Sequence, residues 1–184
     1  QGTIRTPEIA EQAAYYAEGF FANNIFWPKE HFQRLIRFYR QRFAHYGHGT
    51  EQQAIVGLGG QAYIAKTSQQ AKREFRPYFD EAPVYGHGPS LEEYTAQTPL
   101  SVGSPQEVID KTMTFRESFG DYQRQLFLVD HSGLPQRMAL EQLELLATEV
   151  IPVLRREMDA RRPAGVAAAP PHAGLGRAQS GAAA

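Results

Sequence analysis

Short apolar runs alternate with amphipathic helical patterns along this sequence, and that alternation limits the folds open to the chain. Apolar residues dominate three short runs, at residues 18–28, 53–65 and 122–131, which predict strands. The first run is apolar on both faces, as strands of a covered parallel sheet are. Between the first two runs, residues 29–45 have helical period, and Gly47 to Gly49 stop that helix. Its predicted inner face is Phe32, Leu35, Ile36, Tyr39 and Phe43; its predicted solvated face is Arg34, Arg37, Arg40 and Gln41.

The order of these patterns limits the number of possible architectures. Helices that alternate with strands predict a parallel sheet covered by helices. An open doubly wound sheet and a closed (β/α)8 barrel both fit, but such a barrel typically needs about 250 residues. The chain has 184 residues and begins directly on a junction between a loop and a helix. We therefore predict an α/β fold, the C-terminal half of a (β/α)8 TIM-type barrel whose preceding strand is missing, with a small open sheet as the alternative.

The remaining helices differ in how clearly the sequence indicates their apolar faces and ends. The opening helix carries Ile9, Ala13 and Tyr16 as its predicted apolar stripe. Another helix, over about residues 69–75, begins at the caps Thr67 and Ser68. Residues 77–100 have no clear period and contain four prolines and two glycines, so they predict a long excursion with at most a short helix at residues 90–96.

The last helix is predicted over residues 136–160. Proline cannot donate to the helical ladder, so Pro152 is expected to kink this helix or to break it in two. The residues expected to face inward are Leu140, Leu143, Ala147, Val150 and Leu154. Residues 1–162 form one predicted domain, and the Ala/Gly/Pro-rich residues 163–184 form a predicted disordered tail.

Composition excludes several classes of protein. Hydrophobic residues make up 42% of the chain, enough for one real core. A net charge of -1 argues against a general nucleic-acid or anionic-membrane binder. The chain has no cysteine, which excludes a disulfide framework and a thiolate zinc site. No apolar run is long enough to span a bilayer and no secretory signal opens the sequence, so the predicted location is the cytoplasm.

The opening stretch, residues 2–10, is the best candidate for binding an anion. Its loop leads into a helix at Pro7, with Glu8 at the positive end of the helix dipole. Such a loop offers unpaired backbone N–H groups, the hydroxyls of Thr3 and Thr6, and the guanidinium of Arg5. This chemistry predicts a phosphate seat, and an ordinary capped helix start is the alternative.

Two other motifs are weaker. Gly57, Gly59 and Ala62 match G-x-G-x-x-A, but a dinucleotide fingerprint needs a helix that opens inside it, whereas here the apolar run resumes. Glycines inside a strand more often mark a bulge or the close approach of another group. Residues 103–107 repeat the chemistry of a capped helix start and form a second, lower-ranked anion candidate.

Polar residues follow two of the predicted strands. Asn23 and Asn24 fall at the end of the first strand, and Asp130 and His131 end the third. In barrel enzymes the C-terminal ends of strands carry the chemistry. A histidine beside a carboxylate can move protons near neutral pH. The alternative is that His131 only forms hydrogen bonds with the loop at residues 132–135.

Four segments, taken in this order, resemble the C-terminal half of the luciferase-like flavin-dependent monooxygenases. They are GTIRTPEIAEQAA at residues 2–14, GFFAN at 19–23, GSPQEV at 103–108 and FLVDHSGLP at 127–135, and the resemblance covers about residues 1–160. It implies a TIM-type barrel, a reduced flavin, and activation of dioxygen on that flavin to oxidise an organic substrate. The flavin is expected to be FMN, with F420 as the alternative.

The resemblance also implies site residues. Gly2, Thr3, Arg5 and Thr6 are expected to bind the flavin phosphate, and Asp130 and His131 to take part in catalysis. Asn23, Asn24 and Trp27 are expected to contact the substrate or the isoalloxazine ring. A flavin reductase is a possible partner, and a homo-oligomer is expected. No metal site is expected, since His45 and His48 flank a helix end with no supporting carboxylate.

One departure from the family pattern leaves an alternative function open. The front half of the barrel, which supplies part of the flavin and substrate pocket, has no counterpart in these 184 residues. A half-barrel exposes two unpaired sheet edges. The alternative to a flavin-dependent enzyme is therefore a non-catalytic half-barrel or interaction module that needs a partner chain.

Overall fold

In a computed structural model the chain is described over residues 2–3, 6–25, 28–85 and 88–168. Six strands and seven α-helices occur in these residues. The strands are β1 (Gly2–Thr3), β2 (Phe20–Ala22), β3 (Val56–Leu58), β4 (Ala62–Ile64), β5 (Ser101–Gly103) and β6 (Arg124–Gln125). The helices are α1 (Pro7–Tyr15), α2 (Lys29–His45), α3 (Ser68–Glu81), α4 (Leu91–Gln97), α5 (Pro105–Phe119), α6 (Gln136–Leu145) and α7 (Ile151–Ala160).

Four parallel strands form the main sheet in the order β1-β2-β3-β6. Helices alternate with these strands along the chain, which confirms the predicted α/β class. The opening residues were expected to be a loop after a missing strand, and this is wrong. Gly2 pairs with Phe21 and Thr3 with Ala22, so the stretch is itself the strand β1.

The second apolar run was predicted as one strand and is two. β3 belongs to the main sheet, whereas β4 pairs in parallel with β5 in a separate two-stranded sheet. Gly59 and Gly60 lie between β3 and β4 without a helix, which confirms that these glycines form no dinucleotide fingerprint. A larger residue at Gly59 would crowd its neighbours, because a Cβ there would lie 3.1 Å from both Asn23 Oδ1 and Phe21 Cζ.

The third run is regular only over β6, but its pairing with the second run extends further. Leu126 N donates to Leu58 O at 2.9 Å, and Leu128 N donates to Gly60 O at 2.8 Å. Ala62 N then donates to Leu128 O at 3.1 Å. The ladder therefore reaches the carboxyl end of the sheet, where β4 begins.

Helix α2 has the predicted bounds and buries the predicted apolar face. The prediction is wrong for Arg40, which was placed on the solvated face. This residue is half-buried, and its Nη1 donates to Phe119 O at 2.7 Å while its Nη2 donates to Asp121 O. Burial lowers the pKa of Arg40. These bonds attach α2 to the end of α5, because the guanidinium satisfies carbonyls that a helix end leaves without partners.

Helix α1 buries Ala13 of its predicted apolar stripe, but not Tyr16. Ala10, Ala13 and Ala14 are buried, whereas Tyr16, the last residue of the predicted stripe, is 61% exposed. Small residues here let α1 and α2 approach closely. Helix α3 is longer than predicted and continues through Pro77, because Ala71, Phe75 and Phe79 pack into one core. The excursion therefore starts only at Ala82, and its predicted short helix is α4.

The predicted break of the last helix near Pro152 is confirmed. It also explains why some of the residues predicted to face inward on this helix are exposed. A π-helical turn, Leu146–Val150, separates α6 from α7. The extra residue in that turn rotates the preceding helix relative to a continuous one. Gln142 and Leu146 are buried, whereas the inward prediction fails for Leu140, Leu143 and Ala147, which are exposed.

Three apolar clusters form the core. The first lies between the main sheet and helices α1 and α2. The second surrounds β4 with α3 and α4, and the third joins β4 to α5 and α7. The last described residues lie across the sheet: Gln123 Nε2 donates to Ala167 O at 3.1 Å, so the predicted tail starts with residues that contact the domain. Residues 169–184 lie outside the described residues, and their disorder stays a prediction.

Candidate functional site

The carboxyl ends of the main strands bring the predicted polar residues to one edge of the sheet. Asn23 and Asn24 follow β2, the glycine pair and Gln61 follow β3, and His131 lies beside Ala62 at the end of the third run. This edge is where parallel α/β sheets place ligands. The β4–β5 sheet with α3 and α4 stands next to it.

Asn24 is held rigidly but keeps one polar atom without a partner. The residue is fully buried, and its Oδ1 accepts a hydrogen bond from Gly59 N at 2.7 Å. Within the described part of the chain, its Nδ2 has no hydrogen-bond partner. A buried donor left unpaired costs about 1–3 kcal/mol. The amide is thus poised to donate to a group that the chain itself does not supply.

Gln61, which the sequence analysis did not single out, repeats this arrangement at the end of β3. The side chain is buried, and its Oε1 has no partner among the residues described. The only sequence signal was an amide inside an apolar run. Asn24 and Gln61 therefore place an unpaired donor and an unpaired acceptor at the ends of adjacent strands.

In contrast to these two amides, His131 has a hydrogen-bond partner at each of its ring nitrogens. Its Nε2 lies 3.3 Å from Ala62 O, and its Nδ1 lies 2.8 Å from the Tyr85 hydroxyl. A carbonyl can only accept, so Nε2 carries the proton and Nδ1 accepts from Tyr85. Ser132 Oγ donates in turn to the Tyr85 hydroxyl at 3.2 Å. The bonds form one chain from Ser132 to the backbone of β4.

The titration of this group follows from its burial. Burial lowers the pKa of His131, and burial raises the pKa of Tyr85 to about 12. Both rings are therefore neutral near pH 7. Asp130 is exposed, and its charge opposes the effect of burial on the pKa of His131. These contacts support the structural alternative for His131, which fixes the Tyr85 turn, while a catalytic role for the pair stays untested.

Tyr85, which lies in the turn after α3, is buried. It stacks on Phe79 with ring centroids 4.7 Å apart and meets Tyr94 edge-on at 5.2 Å. The neighbouring Gly86 and His87 lie outside the described residues. The turn therefore belongs to the second core rather than to the surface.

The predicted phosphate seat differs from the expected loop in that strand β1 precedes helix α1. Thr6 is the N-cap residue of α1 in extended conformation, and Pro7 and Glu8 occupy the first turn. Arg5 lies outside the described residues, as does Trp27 of the predicted substrate site. The role of Gly2, Thr3, Arg5 and Thr6 in binding phosphate stays a prediction.

The second anion candidate, at the start of α5, is not supported. Ser104 and Glu107 form a capping box, in which Glu107 Oε2 accepts from Ser104 N at 2.7 Å. A carboxylate already lies where an anion would have to bind. The sequence S-x-x-E at this position was the signal for the capping box.

The inner face of the main sheet is exposed only toward β6: Gly57 is buried and Phe21 half-buried, whereas Arg124 is exposed. Phe20, Ala22, Val56 and Leu58 point into the first core, so their neighbours Phe21, Gly57 and Arg124 lie on the other face. Beyond Arg124 the same alternation exposes Leu126 by 50% and Leu128 by 42%. In a closed barrel this face lines the interior.

Two searches concern metal-binding clusters and membrane-spanning helices among the described residues. Over the described ranges, no group of three or more His, Asp or Glu residues is arranged to hold a metal ion. None of the helices in the part of the chain that the structure describes has the length and apolar character needed to cross a bilayer.

Comparison with known proteins gives a family and a fold. The family model described as luciferase-like monooxygenase matches residues 1–122. None of the curated proteins compared with the chain matches it significantly. Solved structures of low sequence identity match with TM-scores above 0.5, and they report the fold alone.

Three of these solved structures show which kinds of protein share the fold. The monooxygenase RslO1 from Streptomyces bottropensis is 20% identical, with a TM-score of 0.59 over 83% of this chain and 46% of its own. The oxygenating constituent of 3,6-diketocamphane monooxygenase from Pseudomonas putida, in complex with FMN, is 20% identical, with a TM-score of 0.62 over 82% and 47%. The coenzyme F420-dependent tetrahydromethanopterin reductase from Methanopyrus kandleri is 16% identical, with a TM-score of 0.57 over 83% and 50%.

This chain therefore spans about half the length of the solved structures that it matches. Its four main strands are half of the eight in a (β/α)8 barrel. The half-barrel fold predicted from the sequence is confirmed.

Proposed function

Since the chain belongs to the luciferase-like monooxygenase family, we propose that it forms part of a flavin-dependent oxidoreductase that oxidises a small organic substrate with dioxygen. The cofactor we propose is reduced FMN, with F420 as the alternative. The observation that carries the proposal is the pair of unpaired buried polar atoms, Asn24 Nδ2 and Gln61 Oε1, at the carboxyl edge of the sheet. A flavin ring system offers both acceptors and donors that can complete them.

The start of α1 fits the phosphate of a flavin. The start of α1 offers backbone N–H groups and the hydroxyl of Thr6 to a phosphate. When bound, the reduced flavin supplies the electrons that activate dioxygen.

The protein contributes binding, orientation and exclusion of water. Arg5 and Thr6 are proposed to hold the phosphate, and Asn23, Asn24 and Trp27 to contact the ring or the substrate. His131 is proposed to act by fixing the Tyr85 turn beside the site, since both its ring nitrogens are engaged. Leu126 and Leu128 supply apolar surface on the inner face, which keeps water from the reacting atoms once that face is covered.

The test is a titration of the chain with FMN and with F420, followed by flavin fluorescence and by thermal unfolding. The double variant Arg5→Ala with Thr6→Ala is expected to weaken FMN binding and to leave the far-UV circular dichroism unchanged. The matched control is Arg34→Ala with Thr114→Ala, two exposed residues away from the strand ends. Equal affinities in both double variants would move the phosphate seat elsewhere.

A second candidate function is favoured by the apolar side chains exposed beside β6, Leu126 and Leu128. A half-barrel without turnover of its own would serve as a module that completes a barrel with a partner chain. Absence of flavin-linked oxidation in the isolated chain, together with assembly through the sheet edges, would favour this function over the first. A flavin reductase partner and a cytoplasmic location stay predictions from the sequence.

A further inference from the structure

We propose that Lys111 is a site of covalent acylation, at which a small acyl phosphate transfers its acyl group to the side-chain amine. Lys111 lies on α5, is half-buried, and lines a cavity of about 230 Å³ among α3, α4, β5 and α5. Its amine contacts the backbone at Leu100, just before β5 begins. The proposal therefore concerns the amino end of β5 and is independent of the flavin site at the carboxyl edge.

The amine of Lys111 is held by neutral acceptors in place of a carboxylate. Its Nζ donates to Thr95 O, near the end of α4, and to Leu100 O. None of the ion pairs among the described residues includes Lys111. A buried ammonium without a counter-charge is costly, and the loss of its proton removes that cost.

The surroundings of Lys111 favour its neutral, nucleophilic form. Burial, with a smaller contribution from the charge of Lys29, lowers the pKa of Lys111 from the ordinary 10.5 to about 8. At neutral pH a much larger fraction of this amine than of an ordinary lysine is therefore uncharged. The uncharged amine is the nucleophile, and desolvation is one of the ways in which proteins activate a lysine.

The cavity beside the amine suits a small anionic acyl donor. Lys72 lines it and takes part in none of the ion pairs within the described ranges, so its charge can attract a phosphate. Two carboxylates also line the cavity, and both have partners in the chain. Glu92 pairs with Arg76, and Glu107 Oε2 accepts from Ser104 N at 2.7 Å.

The reaction is an acyl transfer from oxygen to nitrogen. The lone pair of Lys111 Nζ attacks the carbonyl carbon of the acyl phosphate and forms a C–N bond. The bond between that carbon and the phosphate oxygen breaks, and inorganic phosphate leaves with the bonding pair. The proton lost from Nζ passes to solvent. The product is a neutral amide, so the burial of a charge no longer has to be offset.

Acylation also changes the link between α4 and the start of β5. The ammonium donates to two carbonyls, whereas the amide product keeps a single N–H. Either Thr95 O or Leu100 O therefore loses its partner. The end of α4 should loosen, and the amide of Thr98, which donates to Tyr94 O at 3.0 Å, should exchange its hydrogen faster in the acylated chain.

The experiment compares the four lysines of the full 184-residue chain in one sample. The native chain is incubated with acetyl phosphate at neutral pH, and mass spectrometry of its peptides measures the rate of acetylation at each lysine. Lys111 is expected to react at least about tenfold faster than Lys66, which is exposed. A rate at Lys111 equal to or below that at Lys66, as protection by the two carbonyls would give, overturns the proposal.

The pH profile separates a tuned amine from one that is merely accessible. The rate at Lys111 should level off above about pH 8, because most of the amine is then neutral. An ordinary lysine, with a pKa of about 10.4, still gains reactivity beyond that pH. A rate at Lys111 that rises like that of an ordinary lysine also overturns the proposal.

A variant tests whether the donor reaches Lys111 through the cavity. Ala96 is exposed on α4 and lines the cavity, so Ala96→Trp narrows it without disturbing the core. Acetylation of Lys111 should slow about tenfold, because the donor can no longer align with the amine, while Lys66 reacts as before. Ala160→Trp, on exposed α7 surface, is the matched control and should change neither rate. Unchanged acetylation of Lys111 in Ala96→Trp overturns the assignment to this cavity.

Discussion

Two sets of buried polar side chains lie close together at the carboxyl edge of the sheet, and they differ in whether the chain satisfies them. Around β4, Gln142 bonds both backbone groups of Ile64, and His131 bonds Tyr85 and Ala62. At the ends of β2 and β3, Asn24 and Gln61 each keep an unpaired atom. The first set holds the fold together, whereas the second is prepared for something that the described residues do not supply.

We expect the hydrogen-bonded side chains to matter for stability and the unpaired ones to matter for function. Removing a satisfied group leaves its partners unpaired, which is costly in a dry interior. Removing an unsatisfied atom relieves a cost that the fold already bears. The same type of substitution should therefore destabilise one set and spare the other, and four predictions examine this contrast from the largest effect to the smallest.

Gln142→Met should have the largest effect. Gln142 Nε2 donates to Ile64 O at 2.8 Å and its Oε1 accepts from Ile64 N, both in a buried setting. Methionine fills a similar volume but leaves both backbone groups unpaired, so the free energy of unfolding should fall by about 3 kcal/mol. Urea denaturation measures this value. Gln136→Met, on exposed α6 surface, is the control, and an equal loss in both variants would contradict the account.

Gly59→Ala should cost less, about 2 kcal/mol, because the added Cβ forces small shifts of its neighbours. It would lie 3.1 Å from Asn23 Oδ1 and 3.1 Å from Phe21 Cζ. Gly88→Ala is the comparison, since a Cβ there would meet nothing within 4 Å. Thermal unfolding of the two variants should separate them, and a neutral Gly59→Ala would show that the strand ends are not closely packed.

The pH dependence of the free energy of unfolding tests the hydrogen-bonded side chains through a smaller effect, the titration of His131. Burial lowers the pKa of His131, so the unfolded chain takes up a proton at higher pH than the folded chain does. The stabilising contribution is therefore present above the ordinary histidine pKa of about 6.5 and is lost as the pH falls below it. Unfolding at pH 7.5 and pH 5.5 should show this loss in the native chain. His131→Gln should show a smaller one, and an unchanged slope would rule His131 out as its source.

Gln61→Met should have the smallest effect on stability, a loss of about 1 kcal/mol, because the side chain loses only its hydrogen bond to Tyr85, while its Oε1 has no partner to lose among the residues described. It is the counterpart of Gln142→Met, since both glutamines are buried to the same degree. We expect this variant to bind flavin more weakly while folding normally. A loss of stability as large as that of Gln142→Met would erase the contrast.

Local patterns predicted much of the scaffold. The apolar period of α2 gave its bounds and buried face, the S-x-x-E motif marked the start of α5, and Pro152 marked the start of α7. These features depend on neighbours within a few residues in the sequence. The errors on Leu140 and Leu143 arose because the π-helical turn changed the helical phase, which a continuous helix does not reveal.

The site was harder to predict, since it depends on distant contacts. The hydrogen bond between Tyr85 and His131 joins residues 46 positions apart, and the clamp of Gln142 on Ile64 joins residues 78 apart. No periodicity links such pairs. Asn24 was found because it follows a strand, whereas Gln61 was missed because the fold divides its apolar run into β3 and β4.

The central claim is that the turn from β1 into α1 holds the phosphate of a flavin, and comparing FMN with riboflavin tests it most directly. The two ligands share the ring system and differ by the phosphate alone. Charge-assisted hydrogen bonds from the opening turn should make FMN bind at least about tenfold more tightly, and Arg5→Ala with Thr6→Ala should abolish that ratio. Equal binding of FMN and riboflavin by the native chain, or a ratio that survives the double substitution, would contradict the account.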